Sequence, residues 1–460
     1  MVRASNDYIC QNCGAAHAKW GGRCDGCGGW NTIVEETRQV SALKRLGEAN
    51  GRGINLEELG SPKRTVKRTQ TGLAEFDRVV GGGLVAGSAN LISGDPGIGK
   101  STLVLQGLCA MARSTHSCIY VSGEESADQV RLRARRLGLD QSQVHLAAST
   151  NVNDILATLR SSEAPQVLVI DSIQTMYVDH IGSAPGAVSQ VRASAQELIQ
   201  YAKLHGVALI LVGHVTKEGQ IAGPRVLEHM VDVVLHFEGD HRHQFRLLRA
   251  VKNRFGATDE VGVFEMSGAG LSEVDNPSAL FLGSRKAPVS GLAVFAGLEG
   301  SRPMLVEIEA LVTPSLGGTP RRAVVGVDGA RLAMIVAVLD SRCGLALGAK
   351  DIHLNVAGGL RISEPAADLA VAGALLSSVT GTPAPAKTII FGETGLTGEV
   401  RPVGGAELRL KEAIKLGYPK AIAPPVDSAS HLDVDLFPIT TLPIFAGIFS
   451  HDVKRFSEGN

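Results

Sequence analysis

The sequence predicts an α/β protein with a phosphate-binding core, a small metal-held module before it and a second α/β region after it. Three observations carry this. Gly94-Asp95-Pro96-Gly97-Ile98-Gly99-Lys100-Ser101 fits the G-x-x-x-x-G-K-[ST] pattern and stands between a strand-like run and a helix-like run. From Thr71 to about Ser267, apolar runs alternate with amphipathic stretches, the pattern of a mostly parallel sheet. Four of the seven cysteines fall in the first 27 residues as two C-x2-C knuckles.

At 460 residues the chain is too long for one ordinary core, and length alone suggests about three domains. The formal net charge is −1, so any nucleic-acid contact must come from local basic patches rather than a global positive field. Aromatic residues make up 4%, which argues against a broad base-stacking platform. No apolar run approaches about 18 residues, and the polar N-terminus lacks a signal peptide's apolar stretch. A soluble, cytoplasmic protein that does not enter a membrane is expected.

Residues 1–34 contain Cys10-x2-Cys13-x10-Cys24-x2-Cys27, spacing that suits a tetrahedral Zn²⁺ held by four thiolates. Four sulfurs leave no open position, so the metal is expected to be structural. Two disulfides are the rival reading, uncommon in a cytosolic chain. His17 reads as a bystander, and Cys109, Cys118 and Cys343 as small apolar residues. Residues 35–70 are polar and carry Arg38, Lys44, Arg45, Arg52, Lys63, Arg64, Lys67 and Arg68; this is a solvated basic linker that can also be drawn to DNA.

Residues 71–274 form the predicted ATPase core. Ala89 to Ser93 reads as a buried strand, and Thr102 to Arg113 as a helix with Leu103, Leu105, Leu108 and Met111 at helical spacing. In such a loop the backbone N–H groups of Gly94 to Thr102 cradle phosphate oxygens, Lys100 reaches the β- and γ-phosphates of ATP, and Ser101 holds Mg²⁺. Val167-Leu168-Val169-Ile170 ends in Asp171, the expected second Mg²⁺ residue. Ile119-Tyr120-Val121-Ser122 delivers Glu124 and Glu125 to the same sheet edge; either can activate water, and Glu124 is preferred. Arg131, Arg133, Arg135 and Arg136 read as the solvent face of one helix. The polar, glycine-rich stretch Thr216 to Pro224 reads as a loop beyond a core strand, a plain connection or a γ-phosphate and DNA contact. After Val233 the runs Phe245 to Lys252 and Val261 to Met266 suggest antiparallel strands added to the parallel core.

These features, with Lys252-Asn253-Arg254-Phe255-Gly256, resemble the bacterial RadA (Sms) family over essentially the whole chain, and KNRFG is a signature of that family. The lead-in Thr71-Gly72-Leu73 through Asp77 to Gly81-Gly82-Gly83-Leu84 resembles the RecA and KaiC branch of P-loop ATPases. The resemblance implies a RecA-like ATPase using ATP, Mg²⁺ and Zn²⁺ that binds single-stranded and branched DNA. It further implies a hexameric ring like DnaB, branch migration in recombinational repair, and a recombinase (RecA) as partner. On that reading Arg254 reaches a neighbouring subunit's γ-phosphate, while Lys252, one strand alternation away, neutralises transition-state charge or touches DNA. Phe255 beside a turn glycine reads as packing before base stacking. The alternative function is an ATP-controlled assembly or recruitment factor that moves no strands.

Residues 275–460 include a stretch, from Asp351 to Pro424, that resembles the proteolytic domain of Lon. Lon uses a Ser–Lys dyad. Here Glu364-Pro365-Ala366-Ala367-Asp368 puts Ala366 at the nucleophile's place, and Arg409 stands at the lysine's. A guanidinium stays protonated and cannot serve as base, so no peptidase activity is expected. Assembly or DNA binding remains, with Arg302, Arg321, Arg322, Arg331, Arg342, Lys350 and Arg361 as candidate contacts, although each taken alone reads first as a solvated surface charge.

Overall fold

A computed structural model describes residues 6–10, 15–37, 67–214, 226–239, 244–258, 260–283, 287–315 and 318–450. The linker residues 38–66 and the stretch Thr216 to Pro224 therefore lie outside the described residues. The chain divides into two compact units, Met1–Val274 and Asp275–Asn460.

In the first unit the N-terminal residues form a three-stranded antiparallel sheet, with Asn6–Cys10 between Ala16–His17 and Ile33–Thr37. The main body is a nine-stranded sheet in which six strands run parallel. Their order is Val233–Glu238, Ala89–Gly94, Ala208–Val212, Val167–Asp171, Cys118–Ser122, His145–Ala148. Three antiparallel strands, Phe245–Asn253, Val261–Ser267 and Gly270–Glu273, extend it beyond Val233–Glu238, as the change of pattern after Val233 leads one to expect.

The uninterrupted apolar runs have a physical cause. Side chains alternate across a strand, and here both faces are covered. Val167 and Val169 join one core with Ile92, Val212 and Phe237, whereas Leu168 and Ile170 join another with Leu91, Leu209 and Leu211. The lead-in motif is likewise explained by burial. The Asp77 carboxylate accepts from the Thr71 N–H at 2.9 Å and from the Thr71 hydroxyl at 2.9 Å, so Thr and Asp close the turn that opens helix Ala74–Val80.

The second unit is a seven-stranded mixed sheet, in the order Arg322–Val325, Lys350–Val356, Arg302–Pro314, Leu292–Glu299, Thr388–Ile390, Lys420–Ala423, Asp435–Pro438. Helix Asp368–Thr380 packs on its central strands, and Asp368 through Ser377 are all buried. That explains why the helix is apolar all round rather than amphipathic.

Candidate functional site

The P-loop leaves its strand through a glycine that no other residue can replace. A Cβ on Gly94 would lie 2.1 Å from the Phe237 carbonyl oxygen, and one on Gly99, at φ +114°, would lie 2.4 Å from Met266 Cε. The turn therefore sits hard against the neighbouring strands and delivers Lys100 as the first residue of helix Lys100–Arg113, at its positive end. Lys100 is 3% exposed. Its Nζ donates to the carbonyls of Gly94 and Asp95, both at 2.8 Å. Burial pushes its pKa down to about 8, against the pull of Asp171, Asp95 and Glu124.

The acidic residues arrive on the carboxyl ends of the other parallel strands, the edge at which open α/β sheets bind ligands. Asp171 ends Val167–Asp171 and accepts a hydrogen bond from the Tyr120 hydroxyl. Burial, reinforced by that carboxylate, drives the Tyr120 phenol well above its ordinary pKa. A Cβ on Gly123 would meet Thr175 Oγ1 at 2.1 Å, so only glycine lets the following loop close down beside Asp171. The two glutamates part there. Glu124 accepts from the Ser172 hydroxyl and lies 3.2 Å from His214 Nε2. Glu125 is taken by the Arg133 guanidinium. Lys100, Ser101, Thr102, Glu124 and Asp171 line one cleft of ≈ 280 Å³.

Arg133 corrects the expectation of a solvent face. Its side chain is 15% exposed and lines that cleft, whereas Arg131, Arg135 and Arg136 are exposed. On the helix it stands within one turn of the buried Val130 and Ala134, a helical-wheel signal that the run of arginines obscures. In the sequence His214 is only a residue two positions past strand Ala208–Val212, with no motif of its own. Its place beside Glu124 depends on Cys118–Ser122 and Ala208–Val212 flanking Val167–Asp171, an order that no local pattern reveals.

Lys252 and Arg254 are not in the cleft. Asn253 pairs with Val233, and Val233 with Asn90, which places the signature where the parallel strands begin. The P-loop departs at the other end, about 13 Å farther along four strand residues. Lys252 Nζ donates to the carbonyls of Glu228 (2.7 Å) and Val231 (2.8 Å), closing the end of helix Val226–Met230. Arg254, with a side chain 54% exposed, pairs with the buried Asp232 at 3.0 Å. The Asn253 amide oxygen accepts from the Phe255 N–H at 2.9 Å, and Phe255 packs on the core, as the packing reading expects. A Cβ on Gly256 would meet Gly81 Cα at 3.2 Å, so the signature glycine and the lead-in glycines allow each other's close approach.

In the N-terminal module, sulfur atoms of Cys10, Cys24 and Cys27 lie within 4.8 Å of one another, and those of Cys10 and Cys27 are 3.7 Å apart. Tetrahedral zinc with Zn–S bonds of about 2.3 Å sets sulfurs about 3.8 Å apart, so this donor set fits Zn²⁺. Cys13, the expected fourth ligand, lies outside the described residues. His17 is outside this donor set, with its Nε2 3.3 Å from Cys24 Sγ.

In the second unit Ala366 is 2% exposed and Arg409 3% exposed. Arg409 reaches the turn that holds Ala366, pairing with Glu364 at 2.5 Å and donating to the Ala296 carbonyl at 2.6 Å and the Gly404 carbonyl at 3.2 Å. Three of the proposed DNA-contacting arginines are engaged within the unit. Arg302 is buried, Arg331 forms a two-pronged pair with Asp368 at 2.5 and 2.7 Å, and Arg322 donates to the carbonyls of Leu347 and Gly348. No described helix is long and apolar enough to cross a membrane.

Comparison with known proteins agrees with this architecture. Residues 57–220 match the AAA domain, residues 8–35 the rubredoxin metal binding domain, and residues 315–427 subunit ChlI of Mg-chelatase. The chain is 57% identical over 432 residues to the DNA repair protein RadA of Brucella abortus, covering 92% of each chain. It is 52% identical over 427 residues to that of Pseudomonas aeruginosa, covering 92% of this chain and 94% of the relative. The RadA of Bacillus subtilis is 48% identical over 438 residues, 94% of each. An α/β ATPase core, a zinc ribbon and a Lon-like C-terminal region thus stand together in a chain that belongs to the RadA family of DNA repair proteins.

Proposed function

We propose that this chain is a ring-forming, DNA-dependent ATPase that moves branched DNA during recombinational repair. The convergence of Lys100, Ser101, Asp171 and Glu124 on one cleft carries the reading. Lys100 leaves the Gly94 and Asp95 carbonyls for the β- and γ-phosphates, and the N–H groups of the loop hold the remaining oxygens. Ser101 and Asp171 would hold Mg²⁺, which would supply positive charge to neutralise the phosphates. With Glu125 engaged by Arg133, Glu124 is the base: it takes a proton from water as the water oxygen attacks the γ-phosphorus and the bond to ADP breaks.

Arg254 cannot serve the cleft of its own chain, because it stands at the opposite end of the sheet. Exposed there, it serves a neighbour's cleft, with Lys252 as the second cation, and a closed ring, a hexamer, supplies every cleft with one. Residues 71–274 act as the motor, the four-cysteine module within 1–34 as a structural zinc site, and 275–460 as an assembly or DNA-binding domain without peptidase chemistry. The setting is the cytoplasm, with single-stranded and branched DNA as substrate and a recombinase as partner.

The test is movement of a three-stranded recombination intermediate with ATP, with DNA binding monitored separately. The unmodified chain should drive branch migration, and Arg254→Ala should bind DNA without moving strands. Active hydrolysis with no strand movement in the unmodified chain would instead favour an ATP-controlled recruitment factor.

A further inference from the structure

We propose that His214 is a positioning residue for Glu124: together with Ser172 it fixes one carboxylate oxygen, leaving the other to receive the proton of the attacking water. The inference rests on Glu124 being the base.

Glu124 stands on a loop with its side chain 44% exposed, and an unrestrained glutamate has rotamer freedom that makes it a poor base. The structure removes that freedom from two sides. The Ser172 hydroxyl and His214 Nε2 both address the same atom, Glu124 Oε1. Ser172 directly follows strand Val167–Asp171 and is fully buried. His214 stands two residues past strand Ala208–Val212, which pairs with Val167–Asp171. Both donors are thus set by adjacent core strands, and the Gln174 amide steadies the His214 backbone by donating to its carbonyl at 3.4 Å.

The orientation of the imidazole follows from its surroundings. Nδ1 is buried and has no hydrogen-bond partner among the described residues. A hydrogen on Nδ1 would be a buried donor with nothing among the described residues to receive it, whereas one on Nε2 faces Glu124. With Nδ1 buried and Nε2 turned to Glu124, His214 addresses the carboxylate rather than water in the cleft. It acts through Glu124.

The experiment is a double-mutant cycle on the full chain, with steady-state ATP turnover read as kcat and KM, and fold checked by thermal melting and nucleotide affinity. His214→Ala should lower kcat by about 10- to 100-fold with KM for ATP changed less than about twofold. His214→Gln, which keeps an N–H donor, should recover most of that loss. In a Glu124→Gln background, His214→Ala should cost nothing further, because the group it positions is already gone. Losses that multiply in the double variant, or a His214→Gln variant as impaired as His214→Ala, would overturn the proposal. If Glu124→Gln alone turned over ATP normally, the assignment of the base would fall and this inference with it, an outcome distinct from multiplied losses.

Discussion

The Lys100 cleft and the Arg409 pocket each bury a cation beside carboxylates, yet they treat it in opposite ways. Arg409 has its needs met: Glu364 and the carbonyls of Ala296 and Gly404 surround it, and its guanidinium stands 5.7 Å from the Phe391 ring. Lys100 rests on two carbonyls of its own loop, its charged form disfavoured by burial enough to bring its pKa to about 8. On the proposed function, a site that takes a charged ligand holds its cation in provisional contacts. A pocket without the serine and lysine of a dyad has become an internal ion pair, and its residues now hold a turn to a sheet.

The largest effect that sharpens this contrast is on turnover. Lys100→Ala should abolish ATP hydrolysis, a loss of more than about 10³-fold in kcat/KM, while the thermal midpoint holds or rises because a disfavoured buried charge is gone. Normal hydrolysis by that variant would remove the cleft from the account. Next is Arg409→Ala, which strands Glu364 and should cost about 3–5 kcal/mol. Denaturant titration should show the second unit unfolding earlier; an unchanged midpoint would mean the pair holds nothing.

A smaller effect is in protons. An arriving polyphosphate restores the charge of Lys100, so above about pH 8 nucleotide binding should take up a proton and affinity should fall as pH rises. Calorimetry at pH 8.5 in buffers of differing ionisation enthalpy reads this directly, and buffer-independent heats would contradict it. The stability linkage has its own sign. Between about pH 8 and the unfolded lysine value of about 10.4 the unfolded chain binds more protons, so this group's contribution to stability rises with pH. The smallest effect expected is from Tyr120→Phe, which removes one hydrogen bond to Asp171 and should raise the Mg²⁺ requirement by a few-fold at unchanged fold.

What the sequence discloses follows contact range. Lys100, Ser101 and Asp171 are legible because a phosphate loop and a strand-terminal carboxylate are local patterns, each a few residues long. The choice between Glu124 and Glu125 is not local, since it turns on Arg133 of the next helix taking the second glutamate. The arginine run reads as a solvent face because charge outweighs the weaker signal of Val130 and Ala134 beside it. Lys252 and Arg254 are legible as a motif, but their distance from the chain's own P-loop comes from strand order and register, which the apolar runs leave open. In the second unit the arginines proposed for DNA look alike in sequence. Arg302 and Arg331 differ from exposed Arg361 only through long-range partners.

The central claim is a nucleotide site completed across two copies of the chain, and subunit mixing tests it most directly. Lys100→Ala and Arg254→Ala, each inactive alone, should regain ATP turnover when mixed, because some interfaces then join an intact P-loop to an intact arginine. Mixtures no more active than the separate variants, despite demonstrated co-assembly, would contradict the claim.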